Sequence, residues 1–554
     1  MIMEGFTPWP DSYKEHYLKA GYWQRKPLAS IVEDAAGRWP ERVAVSFNGQ
    51  AITYRELQRK VNRLALHLAD LGHRPLDRLI LQMPNCPETL YLYFAAVKIG
   101  VIPIMALAAH RLAEISFFAE FAGVQSYCIP GVFGNFDYPA LAKEVRAKAT
   151  SLQHTIVMAG EVSGDMVSLP KLLDDPIEER VDSESIFADL NPDPFEPAVF
   201  QLSGGTTGIP KLIPRTHNDY FYNADRNSEI CGFTGDTVYL VAIPMTHNFA
   251  AACPGWQGVF LRGGRVVLSP SPAPQTIFKL IEQEKVTTIP AVPAIVINLL
   301  NHPDRAHYDL SSLKMFHVGG SKLNEETARR IRPELGAQVQ QVLGMAEGPL
   351  FWTRIDDPEE TIRTTQGRPL SPGDEFRIVD GEDRDVAPGE IGELICRGPY
   401  TIRGYYNVPE YNRKAFTADG FYRSGDLCRL HTSGNLIVEG RSKDTINRGG
   451  EKISAEEMEN HILAFPKIRL CAYVAMPDPI LDERAALFAV PQEGESFSLD
   501  ELNTFLLTER RIARYKLPER LEILPELPLT AVGKVNKVRL REWIAEKLTA
   551  ETKI

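Results

Sequence analysis

Apolar side chains recur at three- and four-residue spacing through residues 54–71 (YRELQRKVNRLALHLADL), a period that predicts an amphipathic helix. Asp77–Met83 reads as a strand, and Pro87–Ile99 as a helix stopped by Gly100. Arg265–Leu268 (RVVL) and Pro274–Glu284 repeat the strand-then-helix alternation, which continues through the first four hundred residues or so. Such alternation predicts an α/β architecture: a large N-terminal domain of mixed, mostly parallel sheets flanked by helices.

From about residue 376 the texture changes. FRIVD, GELICRG and NLIVEG are short apolar runs parted by Gly, Pro and Asp, predicting a small antiparallel, β-barrel-like unit. Beyond Arg441 comes an α+β tail of about a hundred residues, a domain in size. Its clearest helix starts at Ser454, where Ser454 and Glu457 have capping-box spacing. The charged and glycine-containing stretch GRSKD interrupts strand patterning. The boundary between a domain over 1–440 and a small domain over 446–554 is therefore placed at 441–445.

With 554 residues the chain is long enough for two or three domains. A charge of −11 disfavours nonspecific contact with nucleic acid or an anionic membrane. The N-terminus lacks a basic segment followed by an apolar one, and no apolar run is long enough for a membrane span. The seven cysteines are scattered and form no CxxC pair, which argues against disulfide frameworks and thiolate zinc sites. A cytoplasmic location is the expectation, with no nucleic-acid and no membrane partner.

The candidate chemistry begins at Leu202-Ser-Gly-Gly-Thr-Thr-Gly-Ile-Pro-Lys211. Such a run lets backbone N–H groups approach phosphate oxygens, with hydroxyls and one lysine adding donors. It is not a Walker A loop, because Lys211 is followed by Leu212 and not by Ser or Thr. Taken alone it reads first as a flexible surface loop. It does not stand alone: Gly344-Met-Ala-Glu-Gly348, Tyr422-Arg-Ser-Gly-Asp426, the stretch Gly440–Lys452 and Gly533-Lys-Val-Asn-Lys537 follow. In this order, across nearly the whole chain, the five motifs resemble those of the adenylate-forming superfamily.

That resemblance implies ATP and Mg²⁺ as cofactors and assigns roles by position. Ser203, Gly204, Gly205, Thr206, Thr207, Gly208 and Lys211 would cradle the phosphates. Gly320, Ser321, Val342, Met345 and Ala346 would line the adenine side, and Asp426 with Arg441 would hold the ribose. Glu347, with Thr206, would hold the metal. Lys534 would neutralise charge where carboxylate meets α-phosphate. The resemblance also makes 441–445 a hinge and 446–554 a mobile domain, with Lys443 as the pivot between two half-reactions, and Gly449 and Gly450 would admit a pantetheine arm.

The stretch Pro244-Met-Thr-His-Asn-Phe249 resembles the acyl-pocket motif of the aryl-acid subgroup, the salicylate- and 2,3-dihydroxybenzoate-AMP ligases of siderophore assembly. Asn248 stands where amino-acid-activating relatives carry aspartate. Asparagine cannot neutralise an ammonium but can hydrogen-bond a hydroxyl and a carboxylate. His247 would wall the carboxylate end; Phe249, Cys253, Gly320 and Leu350 would complete the acid pocket. Dihydroxybenzoate users generally carry Ser and Val at the positions of Cys253 and Leu350. A thiol is a weak partner for a 3-hydroxyl, and leucine narrows the same end, so both changes favour salicylate. The expected acyl acceptor is the phosphopantetheine thiol of an aryl carrier protein, with free coenzyme A as the alternative.

Overall fold

Thr53 opens the first long helix with a complete capping box. Glu56 N donates to Thr53 Oγ1 (3.2 Å), and Thr53 N donates to Glu56 Oε2 (2.9 Å). The helix runs Tyr54–Asp70 and buries Leu57, Val61, Leu64, Ala65 and Leu68, the stripe its periodicity predicts. The predicted strand and helix that follow are Arg78–Gln82 and Pro87–Lys98. Nearly every side chain of that helix is buried, so it lies inside the molecule and not on its surface. The chain is described here by a computed structural model covering residues 3–203, 211–441, 444–448, 451–478, 481–510, 512–530 and 533–552.

Among the described residues, two large sheets form the N-terminal body. One has seven strands, with Arg78–Gln82, Ile102–Ala106 and Ser126–Pro130 parallel near its centre. Pro197–Leu202 continues that sheet and turns back antiparallel into Leu212–Thr216 at its edge. The other has nine strands. Val238–Val241, Thr288–Ala291, Met315–Gly319 and Gln338–Gly344 are parallel in it, and Leu350–Trp352 adds antiparallel. One apolar cluster unites both sheets and the helices between them.

A four-stranded antiparallel sheet follows: Glu375–Val379, Gly392–Arg397, Tyr422–Leu430 and Leu436–Arg441. These strands contain the three short runs that the turn residues delimit in the sequence. The next sheet starts at Thr445–Arg448 and includes the long pair Ile468–Asp478 and Asp482–Pro491. Alternation along Ile468–Asp478 divides this last unit into two apolar layers. Cys471 and Tyr473 face the helices Ala455–Leu463 and Leu499–Thr508; Ala472, Val474 and Met476 face the layer of the helix Lys537–Thr552.

The helix start at Ser454 departs from the expected reciprocal box. Ser454 Oγ accepts from Glu457 N (3.2 Å), but the Glu457 carboxylate instead takes Lys516 Nζ at 2.6 and 2.8 Å. A charged tertiary partner outcompetes the neutral backbone donor. No helix of the described residues is long and apolar enough to cross a membrane.

Candidate active site

Among the described candidates, Gly320 follows the end of the parallel strand Met315–Gly319, and Met345, Ala346 and Glu347 follow the end of Gln338–Gly344, at the usual ligand-binding edge of such sheets. The strand Met315–Gly319 runs out into Gly320, whose φ of +84° suits glycine. A methyl built on Gly320 would stand 3.3 Å from Lys534 Cε and 3.9 Å from its Nζ. The C-terminal lysine is thus laid against the strand end of the N-terminal body, and a side chain beneath it would fit only tightly. Hydrogen bonds brace its turn: Lys534 N donates to Thr530 Oγ1 (3.2 Å) and Thr530 N to Lys534 O (2.6 Å).

His247 lies close by. Its Nδ1 accepts from Phe249 N (3.2 Å), capping the short helix Asn248–Ala252, which leaves the hydrogen of the neutral ring on Nε2. Burial, reinforced by the Lys534 cation, lowers its pKa to about 4. The ring is therefore neutral at physiological pH and can donate.

Asn248, Phe249, Cys253, Val342 and Leu350 are all buried. A methyl built on Gly319 would meet Val342 Cγ1 at 2.5 Å and Phe249 Cζ at 3.4 Å, so Val342 stands beside Phe249. Leu350 lies opposite Gly344 across the antiparallel pair and fills the space a side chain there would take; its Cδ2 would be 2.2 Å from a Gly344 methyl. Asn248 is held on both sides of its amide: Tyr220 Oη donates to its Oδ1 (2.8 Å), and its Nδ2 donates to Cys253 Sγ (3.2 Å). Burial pushes the Cys253 thiol up to about 12, so it stays neutral.

Glu347 sits in the turn between Gln338–Gly344 and Leu350–Trp352 and is buried. Gly348, at φ +127°, permits the turn; a Cβ there would be 2.0 Å from Tyr400 O. Tyr405 Oη donates to Glu347 Oε1 (2.7 Å), while no hydrogen bond from a described residue reaches the second oxygen. One carboxylate completed by substrate phosphates is a donor set Mg²⁺ accepts, and so the residues present fit that ion. Met345 and Ala346 pack around Tyr405 and Tyr422. Ser321 is exposed just beyond Gly320.

Asp426 is buried within Tyr422–Leu430, directly across from Arg441, and so lies mid-strand and not at the strand end its Ser-Gly context suggests. The side chain of Arg441 lies outside the described residues. So do Gly204, Gly205, Thr206, Thr207 and Gly208, the hinge candidate Lys443, and Gly449 and Gly450. The two ends of the glycine-rich segment 203–211 are described. Ser203 N donates to Lys211 O (3.0 Å) and Lys211 N to Ser203 Oγ (2.9 Å), which clasps the neck of the loop; Lys211 Nζ lies 4.0 Å from the Tyr411 ring centre.

Sequence reasoning missed the supports. Arg215, fully buried, donates from Nε to Asp219 Oδ1 (2.6 Å) and from Nη1 to the carbonyl of Ala346 (2.9 Å), joining the loop's return strand to the Glu347 turn. Tyr220 and Tyr405 hold Asn248 and Glu347. The signal available was Arg215-Thr-His-Asn-Asp219, charges at i and i+4 beside apolar runs, a pattern usually read as a surface pair.

Residues 32–406 match the family described as AMP-binding enzyme, and 457–534 its C-terminal domain. The chain belongs to the AMP-binding enzyme family. It is 46% identical over 550 residues to a 2,3-dihydroxybenzoate-AMP ligase of Bacillus subtilis (strain 168), covering 99% of each chain. It is equally 46% identical, over 548 residues and 99% of each chain, to a salicylyl-CoA synthase / salicylate adenylyltransferase of a Streptomyces species. Among solved structures, apo MbtA of Mycobacterium smegmatis superposes with a TM-score of 0.74 at 40% identity, covering 97% of this chain and 98% of that one. Within the family the chain falls among the aryl-acid AMP ligases.

Proposed function

We propose that the protein activates salicylate with ATP and passes the salicyl group to the phosphopantetheine thiol of an aryl carrier protein. The observation that carries this reading is the acid pocket: a neutral amide, Asn248, faces a neutral thiol, Cys253, with Leu350 filling the space above Gly344. No carboxylate among these groups pairs with a substrate ammonium, and no strong partner meets a 3-hydroxyl.

In the first half-reaction the aryl carboxylate attacks the α-phosphate, releasing pyrophosphate and forming an acyl adenylate. Lys534, packed on Gly320 beside His247, neutralises charge where carboxylate and phosphate meet. The neutral His247 ring orients the carboxylate through Nε2–H. Asp426 accepts from the ribose hydroxyls. Mg²⁺ held at Glu347 would screen the phosphate charges when bound. Positioning and charge neutralisation suffice, so no covalent enzyme intermediate is required.

In the second half-reaction the domain beyond the 441–445 segment turns about Lys443, Lys534 withdraws, and Gly449-Gly450 approaches to admit the pantetheine arm. Relatives whose names include CoA ligase or CoA synthase keep free coenzyme A as the second reading.

ATP–pyrophosphate exchange against a panel of aryl and amino acids tests the proposal. Salicylate should give the highest kcat/KM, with 2,3-dihydroxybenzoate weaker by up to about 10²-fold. Preference for 2,3-dihydroxybenzoate would remove the salicylate assignment. A transfer assay offering carrier protein or coenzyme A then separates the two acceptors.

A further inference from the structure

Behind the proposed acid pocket runs a short buried chain of hydrogen bonds from one large sheet to Asn248. Gln201, on the strand Pro197–Leu202, donates from Nε2 to Tyr220 Oη (3.0 Å). Tyr220, on the helix His217–Ile230, donates that hydroxyl to Asn248 Oδ1 (2.8 Å). Gln201, Tyr220 and Asn248 are each at most 6% exposed, so no solvent competes. The direction of the chain follows from its first link: a tyrosine oxygen that accepts from Gln201 turns its one hydrogen to the remaining acceptor, Asn248 Oδ1. The Arg215 guanidinium, 4.5 Å from the Tyr220 ring centre, holds the ring in place.

The consequence falls on Asn248. Its carbonyl oxygen is occupied, so its Nδ2 must face the pocket. One of the two hydrogens goes to Cys253 Sγ at 3.2 Å. The other is left for the acid. We propose that Tyr220 is a specificity-positioning residue, which fixes Asn248 as a hydrogen-bond donor and thereby selects an ortho oxygen over an ortho amine on the aryl acid.

The chemistry of the two substrate classes makes this selective. In salicylate the phenol hydrogen turns inward to its own carboxylate, leaving the phenol oxygen as an acceptor toward Asn248. In anthranilate one amine hydrogen does the same, and the second points outward, donor against donor. A buried donor left without an acceptor carries a penalty of the size that separates such substrates. Were the amide free to turn, its oxygen would meet the amine and the selection would fade. This inference rests on the reading that the natural substrate is a 2-hydroxyaryl acid.

The test is ATP–pyrophosphate exchange by the full-length enzyme with salicylate and anthranilate, for wild type and Tyr220→Phe. Phenylalanine keeps the ring over Arg215 and removes the hydroxyl alone. The kcat/KM ratio of salicylate to anthranilate should fall about tenfold or more, mainly through a higher KM for salicylate. Gln201→Leu, which frees the Tyr220 hydroxyl to accept from Asn248, should shift the ratio the same way and serves if Tyr220→Phe does not fold. In an Asn248→Ala background, removing the Tyr220 hydroxyl should leave the ratio within about twofold. An equal loss on both acids, or a full shift without Asn248, would show that Tyr220 acts only as packing and overturns the inference. Wild-type exchange with neither salicylate nor 2,3-dihydroxybenzoate would remove the substrate reading, and this inference with it.

Discussion

Replacing Cys253 by Ser and Leu350 by Val together should move the enzyme toward 2,3-dihydroxybenzoate. Leu350 is 2% exposed and fills the side-chain space of Gly344; shortening it by one methylene frees room worth about 0.8 kcal/mol to a ring substituent. Cys253, likewise 2% exposed and neutral, offers a 3-hydroxyl only a weak partner, whereas a serine hydroxyl adds a hydrogen bond of about 1 kcal/mol. The sum is about 1.8 kcal/mol, about a 20-fold change in the kcat/KM ratio of the two acids. Parallel exchange assays on the double variant and both single variants measure it, with the KM for ATP as a control. Smaller than about threefold movement, or movement toward salicylate, would refute the assignment of these two side chains to the 3-position. Truncating Leu350 also costs about 1 kcal/mol of stability, so unfolding is followed alongside.

Lys534→Ala should lower exchange by about 10²–10³-fold while sparing thiol transfer from supplied aryl adenylate; equal loss in both assays would place the lysine outside the adenylation step. Glu456 meets Lys322 of the N-terminal body at 4.0 Å, and its pKa is raised to about 7 by burial and by the neighbouring Glu459 and Asp426 carboxylates, against Lys322 and Lys537. A raised carboxyl favours this docked arrangement fully below about pH 4.5 and progressively less as pH rises through 7. Glu456→Gln should therefore lessen the fall in exchange between pH 6.5 and 8.5, by about fivefold at the alkaline end. A variant profile parallel to that of the wild type would exclude the coupling.

Much of this was legible in the sequence because periodicity reports which side faces the core. The stripe of Tyr54–Asp70, the RVVL strand and the three runs of the antiparallel unit needed only local pattern. Motif spacing singled out Glu347, Asp426 and Lys534 as candidates. What it could not carry is the partner across space. Tyr405 bonds to Glu347 over 58 residues and Arg215 to Ala346 over 131, separations without any periodic trace. Local competition was also invisible: Glu457 has capping-box spacing, yet Lys516, 59 residues on, takes its carboxylate. Asp426 reads as a turn residue from its Ser-Gly neighbours, but the pairing with Leu436–Arg441 extends the strand through it.

The nearness of Lys534 to His247 has a thermodynamic corollary. The cation depresses the basicity of the imidazole, and by reciprocity a proton on the imidazole must repel the cation by the same free energy. Residence of the C-terminal domain over Gly320 and the charge on this ring are therefore linked variables of one equilibrium. A ring-carbon chemical shift of His247, followed through a pH titration, would serve as a built-in gauge of how often the lysine is docked.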